Sequence, residues 1–392
     1  MKKLVLAFLL PLALEACKKP APEITPQDDN DPEITVLTAP TGVMLEKTGS
    51  SSLTFKWDVT TQNGAQYELH LYKTPYQEGN PVATKTLNRG LDSWTFSGLT
   101  PDTGYLFRIR CIAEGAEASP WVDLTSSTQA EAKTWTFKVM SFNVRLITSE
   151  DDPNNNWDVR KVAFPAMLKA EKPLVMGVQE AKAAQVSYIA SNATDYAYYG
   201  IGRDAQTGTT GEIMAIFYDK NQLTLGDHGT FWLSETPDKC SLGWDAACRR
   251  TATWCVFTHK ASGKKFIHIN THLDHKGTKA REEGLKLIIQ RLAVINPSGL
   301  PSILTGDFNV TPSSSCLTPL IGVMNDARLT AAVTDNSPTY NGYSSSGGKI
   351  IDYIWHKGFN RILSYRVVKE KFQDIPFISD HYPITAELEI IE

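Results

Sequence analysis

Residues 303–309 read ILTGDFN. The run begins apolar, passes a glycine and ends in a carboxylate and an amide. Two other stretches share that form, FIHINTH at 266–272 and ISDH at 378–381. A buried strand that delivers polar groups to one end of a sheet reads this way. Three such ends in one chain point to a single site assembled from distant segments.

Working outward, strand-like runs alternate with helical ones after Thr134, the texture of an α/β domain. Trp135–Val144, Leu174–Val178, Met214–Tyr218, Arg250–Thr258, Lys265–Asn270, Ile350–Trp355 and Ile384–Ile391 read as strands. Val159–Ala170 and Lys279–Val294 read as helices, the second with Leu285, Ile288, Ile289 and Leu292 on one face. The polar ends are Asn143, Glu180, Glu212, His272, Asp274, Asp307, Asn309, Asp352, Asp380 and His381. Carboxylates and amides without thiolates suit a hard ion such as Mg²⁺ or Mn²⁺. Two histidines beside such an ion suit phosphoester chemistry, one acting on water and the other on a phosphate oxygen.

The bland readings stand beside these. A strand-end Asp before a turn is commonly only a turn former, and a single His is commonly a satisfied structural group. His228, His259, His268 and His356 have no motif around them and are given no site role. Asp307, His272 and His381 each sit inside a motif. Trp232 and Trp244 read equally as cleft walls or as packing.

The motifs follow one another as SFNVR (141–145), VQE (178–180), NTHLDH (270–275), GDFN (306–309), IDYIW (351–355) and SDH (379–381). In that order they resemble the endonuclease/exonuclease/phosphatase superfamily. It includes pancreatic-type deoxyribonuclease, abasic-site endonucleases, neutral sphingomyelinases, deadenylases and inositol-polyphosphate phosphatases. The resemblance covers 135–392, and GTFWLSETPD at 229–238 is similar to a secreted bacterial branch.

The resemblance implies a four-layer α/β/β/α sandwich with its site at one edge of two packed sheets. It implies Glu180 as main Mg²⁺ ligand, with Asn143 and Asp380 close by. Asp307 would activate water, Asn309 would hold a phosphate oxygen, and His381 would stabilise charge on the phosphate. Asp352 would orient an active-site histidine. His272 would be a candidate general acid, with Glu212 as its partner. Arg250, Asp274 and His275 are expected at the pocket wall, Arg250 as a phosphate contact. Pro173-Leu174 departs from the family pattern, which has an acidic residue after the proline; the change falls on a turn.

At the other end, Met1-Lys2-Lys3, the apolar run Leu4–Leu14 and Leu14-Glu15-Ala16-Cys17 resemble a lipoprotein signal over 1–16. A lipid on Cys17 would anchor the chain to a membrane, in the cell envelope and outside the cytoplasm. Residues 17–35, rich in Pro, Asp and Lys, read as a flexible linker. Over 36–130, SLTFKW, YELHLY and YLFRIR alternate with a period of two, as in an all-β immunoglobulin-like sandwich. With Trp57 ending an early strand and the LTPDTGY turn at 99–105, the stretch resembles a fibronectin type III module. It carries no catalytic cluster, and a spacer or docking role is the default.

With 392 residues the chain accommodates both domains. A net charge of −4 gives no generally basic surface, which disfavours a tight binder of duplex nucleic acid. Cys240 and Cys248 flank a short loop and could bridge in an oxidising compartment. The expected function is a divalent-metal-dependent phosphoesterase in which activated water attacks a phosphodiester or phosphomonoester in line, the substrate a phosphorylated glycan or headgroup. The alternatives are an extracellular nuclease, a sphingomyelinase-like phospholipase, or a non-catalytic lipid-tethered binding protein. A monomer is expected.

Overall fold

The computed structural model describes residues 36–391. The signal segment, Cys17 and the linker lie outside the described residues. The chain divides into two units, the first ending at Glu131 and the second beginning at Ala132.

The first unit contains β1 (Met44–Thr48), β2 (Ser52–Lys56), β3 (Gln66–Lys73), β4 (Ala83–Asn88), β5 (Ser93–Ser97), β6 (Gly104–Ile112) and β7 (Val122–Ser127). They form two antiparallel sheets, ordered β1-β2-β5 and β4-β3-β6-β7. The alternation read from sequence places Leu53, Phe55, Tyr67, Leu69, Phe107 and Ile109 inward. Trp57 is 1% exposed and its indole donates to the Leu91 carbonyl at 3.0 Å. Tyr105 Oη reaches back and accepts from the Thr100 amide at 3.0 Å, tying the turn to the strand.

The second unit contains β8 (Thr134–Asn143), β9 (Val175–Gln179), β10 (Tyr196–Tyr199), β11 (Ile216–Asp219), β12 (Leu223–Trp232), β13 (Thr251–His259), β14 (Lys265–His272), β15 (Ser302–Asp307), β16 (Asn325–Asp326), β17 (Asp352–Lys357), β18 (Arg361–Val367) and β19 (Ile384–Ile391). One sheet runs β10-β11-β9-β8-β19-β18 and the other β12-β13-β14-β15-β17-β16. Helices α1 (Trp157–Arg160), α2 (Ala163–Glu171), α3 (Ala183–Asn192), α4 (Thr278–Ile295) and α5 (Ala327–Thr330) complete it.

Strand alternation builds three apolar layers. Val139, Val175, Ile216, Phe257, Phe266, Ile303 and Ile354 meet between the sheets. Met140, Phe142, Met176 and Phe217 face Phe164, Met167, Val186 and Ile189 of α2 and α3. Ile267, Ile269, Leu304 and Tyr353 face Leu285, Ile288 and Leu292 of α4. This is the four-layer α/β/β/α sandwich. Near the site end the sheets are joined by polar groups. Asn270 donates to the Val178 and Ala215 carbonyls at 2.8 and 3.0 Å and accepts from Gln179 at 2.7 Å. Gly177 permits that approach, because a Cβ there would lie 2.1 Å from Thr305 Oγ1.

Two expectations change. The single helix expected over 159–170 is two, α1 and α2, because Pro165 has no amide for a bond back to Lys161. The proline sits instead in the first turn of α2, where that donor is not needed. Cys240 and Cys248 do not bridge. The first thiol turns to the Arg203 carbonyl and the second to Asp274.

Candidate active site

Sheet register assembles the site. His272, Asp307 and Asp352 are direct neighbours across β14, β15 and β17. Asn143 ends β8 beside Gln179 on β9, and Glu180 follows. The 378–381 segment is bound to the same end, where Ser379 Oγ donates to the Asn143 carbonyl at 2.7 Å. Glu180 and Asn309 both adopt left-handed backbone, with φ of 64° and 54°. That conformation is ordinary for Asn and unfavourable for Glu. Strain of this sort gathers where a side chain must be aimed.

At the centre is Asp307, 2% exposed. Its Oδ1 accepts from the Asn309 amide at 2.9 Å and its Oδ2 from Asn143 Nδ2 at 2.9 Å. His272 Nε2 and His381 Nε2 lie 3.5 and 3.7 Å from Oδ2. Burial pushes the Asp307 carboxyl up to about 7, with the His381 charge working against it. His381 Nδ1 donates to Asp352 at 2.9 Å. Burial disfavours the His381 cation, but Asp352 and then Asp307 outweigh it and raise its pKa to about 10. Thr339 Oγ1 donates to Asp352 at 2.6 Å.

The other expected residues are brought to this end, some in different roles. Asn143 turns its amide nitrogen to both Glu180 (3.0 Å) and Asp307 (2.9 Å), while its Oδ1 accepts from the Arg145 amide. It therefore holds two carboxylates together as a donor. Glu212 is the partner of Arg203, at 2.7 Å, with His272 Nδ1 at 3.9 Å, beyond hydrogen-bond reach. A permanent guanidinium outcompetes a neutral buried imidazole for that carboxylate. His272 accepts from Asn309 Nδ2 at 3.0 Å. Burial, and then Arg250 and Arg203, hold its pKa well below the ordinary value. In this arrangement its Nε2 is placed as a hydrogen-bond acceptor.

Arg250 is 5% exposed; it donates through Nε to Asp274 at 3.3 Å and through Nη2 to His275 Nδ1 at 3.0 Å. Its Nη1 is buried with no partner, which fits an anion contact. Asp274 is spent on the Lys276 and Gly277 amides (2.9 and 2.8 Å) and on Arg250. It shapes the turn that carries His275, and with Cys248 and His275 it offers atoms within 4.8 Å of one another. Trp232 is packing, buried with its indole on the Arg203 carbonyl at 2.8 Å. Trp244 also packs, half-buried against the α4 layer.

Sequence reasoning missed Arg203 and Thr339, which lie in loops with no periodic signal. Arg145 is in SFNVR but received no role; its guanidinium grips Asp151.

The donor set fits a hard divalent ion. Glu180, His272 and Asp307 offer atoms within 4.8 Å of one another. Asp380, 9% exposed, is held above its ordinary pKa by burial, and the Glu180 charge adds to this. Carboxylates crowded in this way gain from a cation. Glu180 and Asp380 would hold it, with Asp307 alongside.

Residues 140–381 match the endonuclease/exonuclease/phosphatase family and residues 38–125 match the fibronectin type III domain. The chain belongs to the endonuclease/exonuclease/phosphatase family, whose members hydrolyse phosphoester bonds and are generally dependent on divalent metals. Among solved structures it is similar to a family protein of Bacteroides thetaiotaomicron, 29% identical, TM-score 0.64, covering 66% of this chain and 97% of that one. The Bacteroides vulgatus family structure is 34% identical, TM-score 0.62, covering 66% and 100%. A Bacteroides thetaiotaomicron mannosyl-6-phosphatase is 30% identical, TM-score 0.62, covering 64% and 99%.

Proposed function

We propose that this chain is a divalent-metal-dependent phosphoesterase acting on a phosphorylated glycan or headgroup. The observation that carries it is the Asp307 carboxylate, held near neutral pKa between two imidazoles and beside Glu180. The 30%-identical mannosyl-6-phosphatase supports the glycan substrate.

Asp307 Oδ2 takes a proton from the attacking water, a task suited to a base that titrates near working pH. His381, kept cationic by Asp352, donates from Nε2 to a phosphate oxygen as charge builds there. Asn309 and Arg250 Nη1 give further donors. Glu180 and Asp380 would hold a divalent ion, which would supply positive charge to the phosphate oxygens.

The chain is proposed to work outside the cytoplasm, tethered by lipid on Cys17, with the fibronectin module as spacer. The residues that support this are the basic start, the apolar run and Cys17. Incorporation of labelled palmitate, lost in Cys17→Ser, tests the tether.

The function is tested with a panel of p-nitrophenyl phosphate, bis-p-nitrophenyl phosphate, sugar phosphates, sphingomyelin and plasmid DNA, with Mg²⁺ or EDTA. Release from sugar phosphates that EDTA abolishes is expected. Turnover of plasmid DNA or sphingomyelin alone would move the substrate assignment, and no turnover in any arm would remove the enzyme reading.

A further inference from the structure

Asp380 and His381 differ from the other groups of the candidate site in what fixes them. Asn143, His272, Asp307 and Asp352 sit at strand ends, where sheet register holds the backbone. Asp380 and His381 lie in the loop between β18 and β19, so their aim depends on bonds made to that loop from outside. Ser379 supplies one anchor, through Oγ to the Asn143 carbonyl. A second comes from residues 339–343.

Asn341 is 4% exposed and meets the loop with both of its nitrogens. Its side-chain Nδ2 donates to the Ser379 carbonyl at 3.2 Å, and its backbone amide donates to the Asp380 carbonyl at 2.8 Å. The Gly342 amide reaches the same carbonyl at 3.0 Å. The Ser379 carbonyl belongs to the peptide before Asp380, and the Asp380 carbonyl to the peptide after it. Each peptide is planar, and the two planes are related only by φ and ψ of Asp380. Holding both carbonyls from one residue therefore sets those angles, and with them the direction in which the Asp380 side chain leaves the backbone. The second of these peptides leads into His381. Its backbone pairs with Tyr340, and its ring meets the Tyr340 ring edge-on with centroids 5.0 Å apart.

The 339–343 segment is itself organised by the Asn341 side chain. Asn341 Oδ1 accepts from the Tyr343 amide at 2.7 Å, closing an Asx turn. Gly342 and Tyr343 both adopt left-handed backbone there, with φ of 58° and 61°. Glycine takes that conformation freely, whereas tyrosine is strained in it. Such strain persists where the surroundings over-determine the backbone, and the Asx turn supplies that constraint. The start of the segment is fastened to the site as well. Thr339 bonds to Asp352, and Tyr340 and Lys349 exchange backbone bonds at 2.9 and 3.2 Å. A side-chain amide offers a donor and an acceptor at once. Aspartate at 341 would lack the donor for Ser379, and alanine would lack both.

We propose that Asn341 is a positioning residue, which fixes the peptides on either side of Asp380 and so aims Asp380 and His381 into the site. That Asp380 then meets a divalent ion rests on the phosphoesterase reading; that Asn341 holds the loop does not.

The test uses the full chain with Asn341→Ala, and with Asn341→Ser, which keeps an oxygen for the Tyr343 amide but is too short for Ser379. Glu171→Gln, which breaks the ion pairs to Lys138 and Arg366, is the comparator for lost stability alone. Calorimetry gives the Kd for Mg²⁺. Amide hydrogen exchange in EDTA reads the Tyr382 amide, which donates to the Thr339 carbonyl at 2.7 Å. In both Asn341 variants the Mg²⁺ Kd should rise about tenfold or more, the scale for a residue that orients a metal ligand. Tyr382 exchange should quicken about tenfold or more as the loop is released locally. On p-nitrophenyl phosphate at saturating Mg²⁺, kcat should fall while KM stays within about twofold. Glu171→Gln should leave the Mg²⁺ Kd unaltered. A Mg²⁺ Kd or a Tyr382 exchange rate unaltered in the folded Asn341 variants would overturn the proposal. So would an equal rise in Kd in Glu171→Gln, or a kinetic loss confined to KM. If the unaltered chain binds no Mg²⁺ or turns over no ester, the phosphoesterase reading has failed and exchange alone decides. Faster Tyr382 exchange in the variants then retains Asn341 as the residue that fixes the loop, and unaltered exchange removes it.

Discussion

Asp307 Oδ2 and His381 Nε2 face each other at 3.7 Å across the end of the second unit's sandwich. The separation is too long for a direct hydrogen bond, and each group lies in the other's field. Asp307 is raised to about 7, chiefly by burial. His381 is raised to about 10, because Asp352 and Asp307 outweigh its burial.

A bell-shaped rate profile follows. The base works when deprotonated, so kcat/KM should climb as pH rises through the Asp307 pKa, about 7 without metal and lower with Mg²⁺ beside it. The imidazolium works when protonated, so kcat/KM should fall as pH passes about 10. The measurement is kcat/KM against pH on p-nitrophenyl phosphate at saturating Mg²⁺. A profile without a rising limb at or below neutrality contradicts the assignment of Asp307.

Asn143 bridges two carboxylates by donating to both. Asn143→Asp removes that donor and adds a third negative charge. Without metal the variant should lose about 3 kcal/mol, the scale of an uncompensated buried charge. Added Mg²⁺ should recover most of it. Unfolding midpoints in EDTA and in Mg²⁺ check this, and an equal loss in both would show that the carboxylates do not share an ion.

Thr339 acts on catalysis through Asp352. Thr339→Val should lower kcat by about tenfold with KM nearly unchanged, as when a positioning hydrogen bond is lost. Its pH profile should also change on the alkaline side, where His381 titrates. A rise in KM alone would make Thr339 a substrate-binding residue instead.

Far from the site, Glu171 is 6% exposed and bonded to Lys138 and Arg366. Burial alone would raise its pKa, but Arg366 and Lys138 hold it below 4.5. A depressed carboxyl contributes stability that is fully present above its unfolded value and lost as pH falls through the folded one. Glu171→Gln should cost about 2 kcal/mol at neutral pH and progressively less in acid. Denaturation curves at both pH values measure the difference, and a gap that does not narrow in acid would contradict it.

The sequence was most readable where backbone periodicity and local chemistry coincide. The period of two in FIHINTH sets His268, Asn270 and His272 on the inner face, and the apolar run before Asp307 marks a buried strand. Strand ends then bring the motifs together whatever the loops do. The loops carried no comparable signal. Arg203 reaches Glu212 through turn geometry around 202–211, and Thr339 reaches Asp352 from a segment without periodicity. Pro165 was visible, but apolar spacing alone ran a helix through it. The hydrogen-bond polarity of Asn143 and the lowered pKa of His272 depend on neighbours distant in sequence, which only the assembled site supplies.

The most direct test of the central claim is Asp307→Ala on the best substrate of the panel, with Mg²⁺ and with unfolding monitored in parallel. The account predicts a folded protein that still binds Mg²⁺ through Glu180 and Asp380, with kcat reduced at least about 10³-fold. A folded variant that retains activity within about tenfold would contradict it.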